Sequence, residues 1–457
     1  MTVVPNDLDT DSGPPTRVPL QHFLVALGCL CLAVGLGVLT AFGQGAAGLT
    51  LAHVHLLLAG WVCITIMGAM TQFVPVWSGA TLHSRRLARW QLWTVAAGLL
   101  GVAGAFALGQ FRLVAVFGTV LLAGFWLFAY NIGRTLWGLP EYDITERHFA
   151  LALGFLVVAT TLGLILALDF RVGLLGSVSV PRTAVVTAHA TLAVFGVVIT
   201  TVLGALYQLA TMFTQTELHG IDRPLRRLEA VGYPVGVLAL AGGRLLESAP
   251  LATAGGLLVA ASLGGFSVIL ARRLVETQVP WTPMCSRYAV AAVALAGWAV
   301  LAVPAWFADP LAGATVFGAP RTLYLLVVGV VGFVVLGTLY HIVPFIVWVE
   351  RYSDRLGYEP VPMIDDLYDD RLAALDFGLL VVGTAGLVAA DWLGWPTAAA
   401  AAGVVLLAGV AVFLANILGV IRTHSHDSLA TILGVAVGGE SASATTEAGE
   451  TAEVDSG

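Results

Sequence analysis

The sequence predicts an all-α polytopic membrane protein of about twelve transmembrane helices, arranged as three pseudo-symmetric four-helix repeats. Three observations lead there. Of 457 residues, 58% are hydrophobic and only 11% charged, whereas soluble domains average about 25% charged residues. Apolar runs long enough to cross ~30 Å of hydrocarbon recur along the chain, and a helix satisfies its own backbone in lipid without closing a barrel. One helical segment also recurs at a spacing of four helices plus loops.

The elements follow in order. Residues 1–19 read as a polar tail too poor in apolar side chains to fold, without the pattern of a cleavable signal. Spans are expected at roughly 20–42, 51–77, 88–109, 113–135, 148–170, 184–213, 228–247, 251–273, 286–307, 321–350, 372–391 and 396–421. The membrane domain is therefore 20–421, with repeats at about 20–135, 148–273 and 286–421. Residues 422–457 read as a disordered acidic tail.

The sequence contains no lysine, so all 21 basic residues are arginine. With the N-terminus inside, sixteen fall on that side; Arg112, Arg171, Arg182, Arg244 and Arg321 fall on the other. The asymmetry predicts a multi-pass protein of the cell membrane with both termini cytoplasmic. Missing lysine and a net charge of −7 suit a halophilic cell. Membrane lipid is the expected partner, and no nucleic acid is expected. Cys29, Cys31, Cys63 and Cys285 read as small buried apolar residues.

The repeat carries the most information. Shifting AHVHLLLAGWVCITIMGAMTQFVPVWSGATLH (52–83) by 136 onto AHATLAVFGVVITTVLGALYQLATMFTQTELH (188–219) aligns His53 with His189, Gly60 with Gly196, Gly68 with Gly204 and His83 with His219. A further shift of 133 places Gly329 on Gly196, Gly337 on Gly204, Thr322 on His189 and His341 on Gln208. Helices 2, 6 and 10 are then equivalent and parallel.

Matched residues sit at matched depth, which puts His53, His55 and His189 near the outer ends of helices 2 and 6. Ionisable groups at membrane depth are costly and usually functional, and neutral imidazole is a common ligand of metals and haem. His53 and His55, two apart on a helix, diverge by about 200°. Glycines at +7 and +15 in each repeat leave flat strips for a neighbouring helix or a macrocycle. His22, His83, His148, His219, His424 and His426 read as solvated histidines of the inner side. Gln72, Gln208 and His341 are expected as a polar ring near the inner mouth.

Twelve helices in a three-times-four ring with outer-end histidines resemble subunit I of the heme-copper oxidases. The run AHVHLLLAGW...GAMTQFVP is similar to that family's helix 10 pattern, whose His-x-His holds a high-spin and a low-spin haem. FVPVWSG further resembles the NnrS proteins, which are associated with nitric oxide stress. The resemblance implies haem, b-type, with copper also in view, and a role in respiratory electron transfer or in nitric oxide or oxygen handling. It also implies an oxidoreductase, with a quinol, a redox protein or respiratory-complex subunits as partners. The chain departs from the family in having no histidines in helix 7 and in placing Thr322 and Tyr324 where helix 10 carries its pair. Rotating the ligand set by one repeat gives a different expectation. His55 and His189 clamp one haem, His53 faces a neighbouring pore for a second haem or copper, and Arg182 and Arg321 meet propionates.

Glu350, with His341, is the expected proton entry point. Asp365, Asp366, Asp369 and Asp370 form an acidic loop read as solvated. The alternatives are a degenerate family member acting as a transporter or channel, and a cofactor-free accessory subunit of a respiratory complex.

Overall fold

The computed structural model describes residues 16–42 and 47–434, with the side chain of Ala47 left aside. Most of both expected tails, residues 1–15 and 435–457, lies outside the described residues. Twelve long helices are present among them: α1 (Arg17–Ala41), α2 (Gly48–Ser78), α3 (Arg85–Ala107), α4 (Phe111–Trp137), α5 (Ile144–Val172), α6 (Arg182–Thr214), α7 (Asp222–Leu245), α8 (Ala249–Val275), α9 (Pro283–Ala308), α10 (Leu325–Arg355), α11 (Asp370–Leu393) and α12 (Pro396–His424). Eleven are long and apolar enough to cross a membrane. The twelfth, α7, is diluted by Asp222, Arg223, Arg226, Arg227, Glu229 and Arg244. The molecule is an all-α polytopic membrane protein.

The expected tail boundaries move. Arg17 to Pro19 are already helical in α1, and α12 continues to His424. A short helix, Leu429–Leu433, then folds back onto α1. There Arg17 and Gln21 donate to the carbonyl of Ile432, the latter at 2.6 Å, which supplies partners for a helix end that would otherwise lack them.

α1 begins and α12 finishes at one end of the bundle, the tail end; His53, His55 and His189 lie at the other, the histidine end. Within each repeat the third and fourth helices pack closely (α3 on α4, α7 on α8, α11 on α12). Small residues allow it, as is usual between membrane helices. A Cβ on Gly98 would lie 2.4 Å from the Leu121 nitrogen, and one on Gly255 would lie 2.3 Å from that of Leu240. α12 meets α1 and closes the ring. Helices α2, α6 and α10 occupy the middle: 83% of the α6 membrane window is buried against 28% for α4 on the rim.

The threefold relation extends to backbone irregularities. Each central helix widens into a π-helical stretch at the same place: Leu56–Val62, Leu192–Ile199 and Leu325–Gly332. Such stretches insert a residue into the helical ladder and re-aim what precedes them. In α6 the Phe195 carbonyl accepts from Tyr233 Oη at 2.6 Å and Thr200 Oγ1 at 3.0 Å. The glycines aligned in the sequence, Gly60, Gly196 and Gly329, all fall inside these stretches. Their strips are covered by the first helix of the same repeat, through Cys29, Phe155 and Ala294. Of the two expected occupants of those strips, a neighbouring helix is the one present.

The start of the third helix is anchored alike in repeats 1 and 3. Asn131 accepts from Ser84 N at 3.0 Å and donates to Ser84 O at 3.1 Å. Asn416 does the same to Asp369, at 2.9 Å in both directions. Ser84 and Asp369 are themselves the capping residues of α3 and α11. In repeat 2 Arg273 replaces the asparagine, reaching the Glu217 carbonyl, Asp222 and Glu276. The acidic loop is thus partly structural: Asp369 caps α11 and Asp366 accepts from Met363 N.

Candidate functional site

The histidine end presents three imidazoles in one chemical state. His53 Nδ1 meets the Ala33 carbonyl of α1 at 2.7 Å, and His189 Nδ1 meets the Ala159 carbonyl of α5 at 2.8 Å. His55 Nδ1 meets the Leu51 carbonyl of its own helix at 2.8 Å. A carbonyl can only accept, so each Nδ1 carries a proton, and in the neutral ring Nε2 is the atom with the lone pair. Among the described residues, none of the three Nε2 atoms has a hydrogen-bond partner, and all three side chains are half-buried. This is the tautomer and orientation of a metal-binding histidine.

His53 and His189 are seated identically. A Cβ on Gly37 would lie 2.9 Å from the His53 ring, and one on Gly163 would lie 3.0 Å from the His189 ring. His53 therefore faces α1 and His189 faces α5. His55 diverges from His53, packs against Phe106 of α3 at 5.2 Å between ring centroids, and lies within electrostatic reach of His189. His53 is seated against α1, while His55 is turned away from it toward Phe106 of α3. Phe106, Phe111 and Phe170 form an aromatic cluster beside His55.

Both arginines expected to meet propionates already have protein partners. Arg182 is paired with Asp169 at 2.5 Å, donates to the Leu166 carbonyl and lies 4.1 Å over the Phe170 ring. Arg321 donates to the Trp392 carbonyl at 2.9 Å and its own carbonyl accepts from Trp392 Nε1 at 2.9 Å. A propionate at Arg182 would have to compete with Asp169. No group of three or more His, Cys, Asp or Glu that could hold a metal ion converges among the described residues.

The axis is not a polar pathway. α2, α6 and α10 enclose a cavity of about 70 Å³, lined by residues such as Ile66, Val202, Val335, Phe73, Leu209 and Ile342. The threonines that line it have their hydroxyls engaged elsewhere: Thr65 donates to Trp61 O, Thr201 to Val197 O, and Thr338 pairs with Tyr288. Below it, His341 lies 4.1 Å from Phe213 between ring centroids. Gln72 Oε1 is buried without a partner. His341 and Glu350 do not meet; nine residues of one helix separate them by about 13 Å. Glu350 sits near His426 and Asp427, with a buried Oε2 lacking a partner.

The residues that sequence reasoning missed lie toward the tail end. His22 and His148, expected in solvent, are fully buried, because each covers a repeat glycine: Gly68 and Gly204. Arg287 covers the third, Gly337. Each repeat also carries a polar group on its second helix and one on its third. Repeat 1 has His22, Thr71 and Gln91, with Gln91 donating to Thr71 at 3.3 Å. Repeat 2 has His148, Tyr207 and Glu229, with Glu229 bonded to both others at 2.8 and 2.9 Å. Repeat 3 has Arg287, Tyr340 and Asp376, with Asp376 bonded to both others. Arg287 and Arg273, counted among inner-surface charges, are in fact interior. Arg244 is buried too, held by Thr191 and by the carbonyls of Pro310, Thr315 and Val316. The available signal was an ionisable residue inside an apolar span.

No protein-family model matches this chain, and no curated protein is significantly similar to it.

Proposed function

We propose that this chain is a haem-binding membrane oxidoreductase of the heme-copper oxidase-like kind, acting in electron transfer or in handling nitric oxide or oxygen. The observation that supports it is the shared state of His53, His55 and His189: Nδ1 fixed on a backbone carbonyl, Nε2 free, ring half-buried. His55 and His189 are the pair that would hold a b-type haem, and His53, turned toward α1, is the donor left for a second one. Bound there, a haem supplies one-electron transfer and, where its iron keeps an open position, gas binding. The protein's part is to fix the imidazole tautomers through Ala33, Ala159 and Leu51, and to keep an aromatic wall of Phe106, Phe111 and Phe170 beside His55. A cell-membrane location with cytoplasmic tails, and a quinol or redox protein as donor, belong to the same reading.

The test is the absorbance spectrum of the purified protein, oxidised and dithionite-reduced, with and without carbon monoxide. A sharp reduced band indifferent to carbon monoxide and lost in both His55→Ala and His189→Ala supports the pair. A carbon monoxide shift lost in His53→Ala adds an open site. A colourless protein overturns the reading in favour of a transporter or an accessory subunit.

A further inference from the structure

The three polar triads occupy equivalent places, each on the glycine fifteen positions after His53, His189 or Thr322, yet they differ in charge. Repeat 1 holds a histidine, a threonine and an amide. Repeat 3 holds Arg287 and Asp376, a fixed ion pair, since arginine does not release its proton in proteins. Its guanidinium also donates to the carbonyls of Pro283 and Ala373 and lies 4.4 Å over the Tyr340 ring. Repeat 2 is the one in which an imidazole faces a carboxylate.

Its hydrogen bonds count the protons. His148 Nδ1 lies 2.6 Å from the Ile144 carbonyl, which can only accept. His148 Nε2 lies 2.8 Å from Glu229 Oε1, and Tyr207 Oη donates to Glu229 Oε2 at 2.9 Å. If Glu229 is a carboxylate, both its oxygens accept and both imidazole nitrogens must donate. The side chains of His148 and Glu229 are 3% and 0% exposed. A lone carboxylate there would be an uncompensated buried charge. One proton on His148 brings the triad from net −1 to net zero, the same balance that repeats 1 and 3 reach by other means. The other charged or titratable groups within reach are Asp143, exposed at the start of α5, Arg226 and Tyr233 on α7. From α8 the triad meets Phe266, whose ring lies edge-on to Tyr207 at 5.0 Å.

We propose that His148, Glu229 and Tyr207 form a single-proton binding site inside repeat 2, facing the tail end, that holds an imidazolium against a carboxylate. The proton comes from the tail-end solution past Asp143, which lies five residues before His148 at the exposed start of α5. His22 is its neutral counterpart. Its Nδ1 meets the Val18 carbonyl at 2.8 Å, while its Nε2 and the amide oxygen of Gln91 have no partner.

The test is ¹⁵N NMR of the full chain in micelles, labelled at histidine, at pH 8, where a free histidine with a pKa of about 6.5 is neutral. One resonance set, removed by His148→Gln, should show both ring nitrogens protonated; the set removed by His22→Gln should be neutral. Glu229→Gln, the residue type that repeat 1 carries at this place, should turn the His148 ring neutral at pH 8. Tyr207→Phe, which leaves the ion pair in place, should keep it protonated and serves if Glu229→Gln does not fold. A His148 ring that is neutral at pH 8 in the native chain, or one that stays protonated in Glu229→Gln, overturns the proposal. Neither result depends on whether the protein binds haem.

Discussion

At the scale of single residues, buried charge decides what the molecule tolerates. Removing one partner of a buried pair strands the other, which costs about 3–5 kcal/mol. Arg287→Met should therefore lower the thermal midpoint in detergent sharply, while the double change Arg287→Met with Asp376→Leu should recover much of the loss. Exposed pairs behave differently. Glu276, just past α8, has its carboxyl held below the usual range by the hydrogen bond from His219 and by Arg273 and Arg272. A depressed carboxylate contributes stability above its unfolded value and loses it as pH falls through its folded value. Acid titration of the native chain should show a loss below about pH 4.3, the ordinary glutamate value, that is smaller in Glu276→Gln. Sequence alone showed His53, His55 and His189 because they stand out on apolar helices. It misassigned His22 and His148, since depth along a helix does not say which face a side chain takes.

At the scale of helices, caps and π-helical stretches set where side chains point. Asn131 and Asn416 each close two backbone groups at the start of a third helix. Truncating either to alanine leaves a part-buried donor and acceptor without their protein partner, at up to about 1–3 kcal/mol. A denaturation series should place both variants in that range. The π-helical stretch of α6 offers a sharper test. Deleting Val198 would restore regular winding and turn His189 by about 100° relative to the lower half of the helix. Helical circular dichroism should persist, and any haem absorbance should vanish. The glycines of these stretches were legible in the aligned repeats. The extra residue in the ladder was not, because LAVFGVVI reads as one continuous apolar helical run and a glycine inside it does not mark an inserted residue.

At the scale of the whole molecule, composition and the 136- and 133-residue shifts were enough for the all-α ring of three repeats, and the common π-helical stretches bear that relation out. The triads were hidden for a physical reason: their members lie on the first, second and third helices of a repeat, far apart in sequence, and only the second-helix members Thr71, Tyr207 and Tyr340 fall on the 136- and 133-residue shifts. The same ring also has an uneven mechanical build. Its repeats are stitched at the rim, by Trp126 to Thr160, by Thr253 to Trp306, and by Arg244 to the loop before α10. Around the apolar cavity, among the described residues, no hydrogen bond joins α2, α6 and α10 to one another. Sliding one central helix against the next therefore breaks only dispersion contacts, which are individually weak and non-directional. The rim then acts as the hinge and the centre as the bearing, so a tilt of one repeat would be felt by the other two without unzipping any of them.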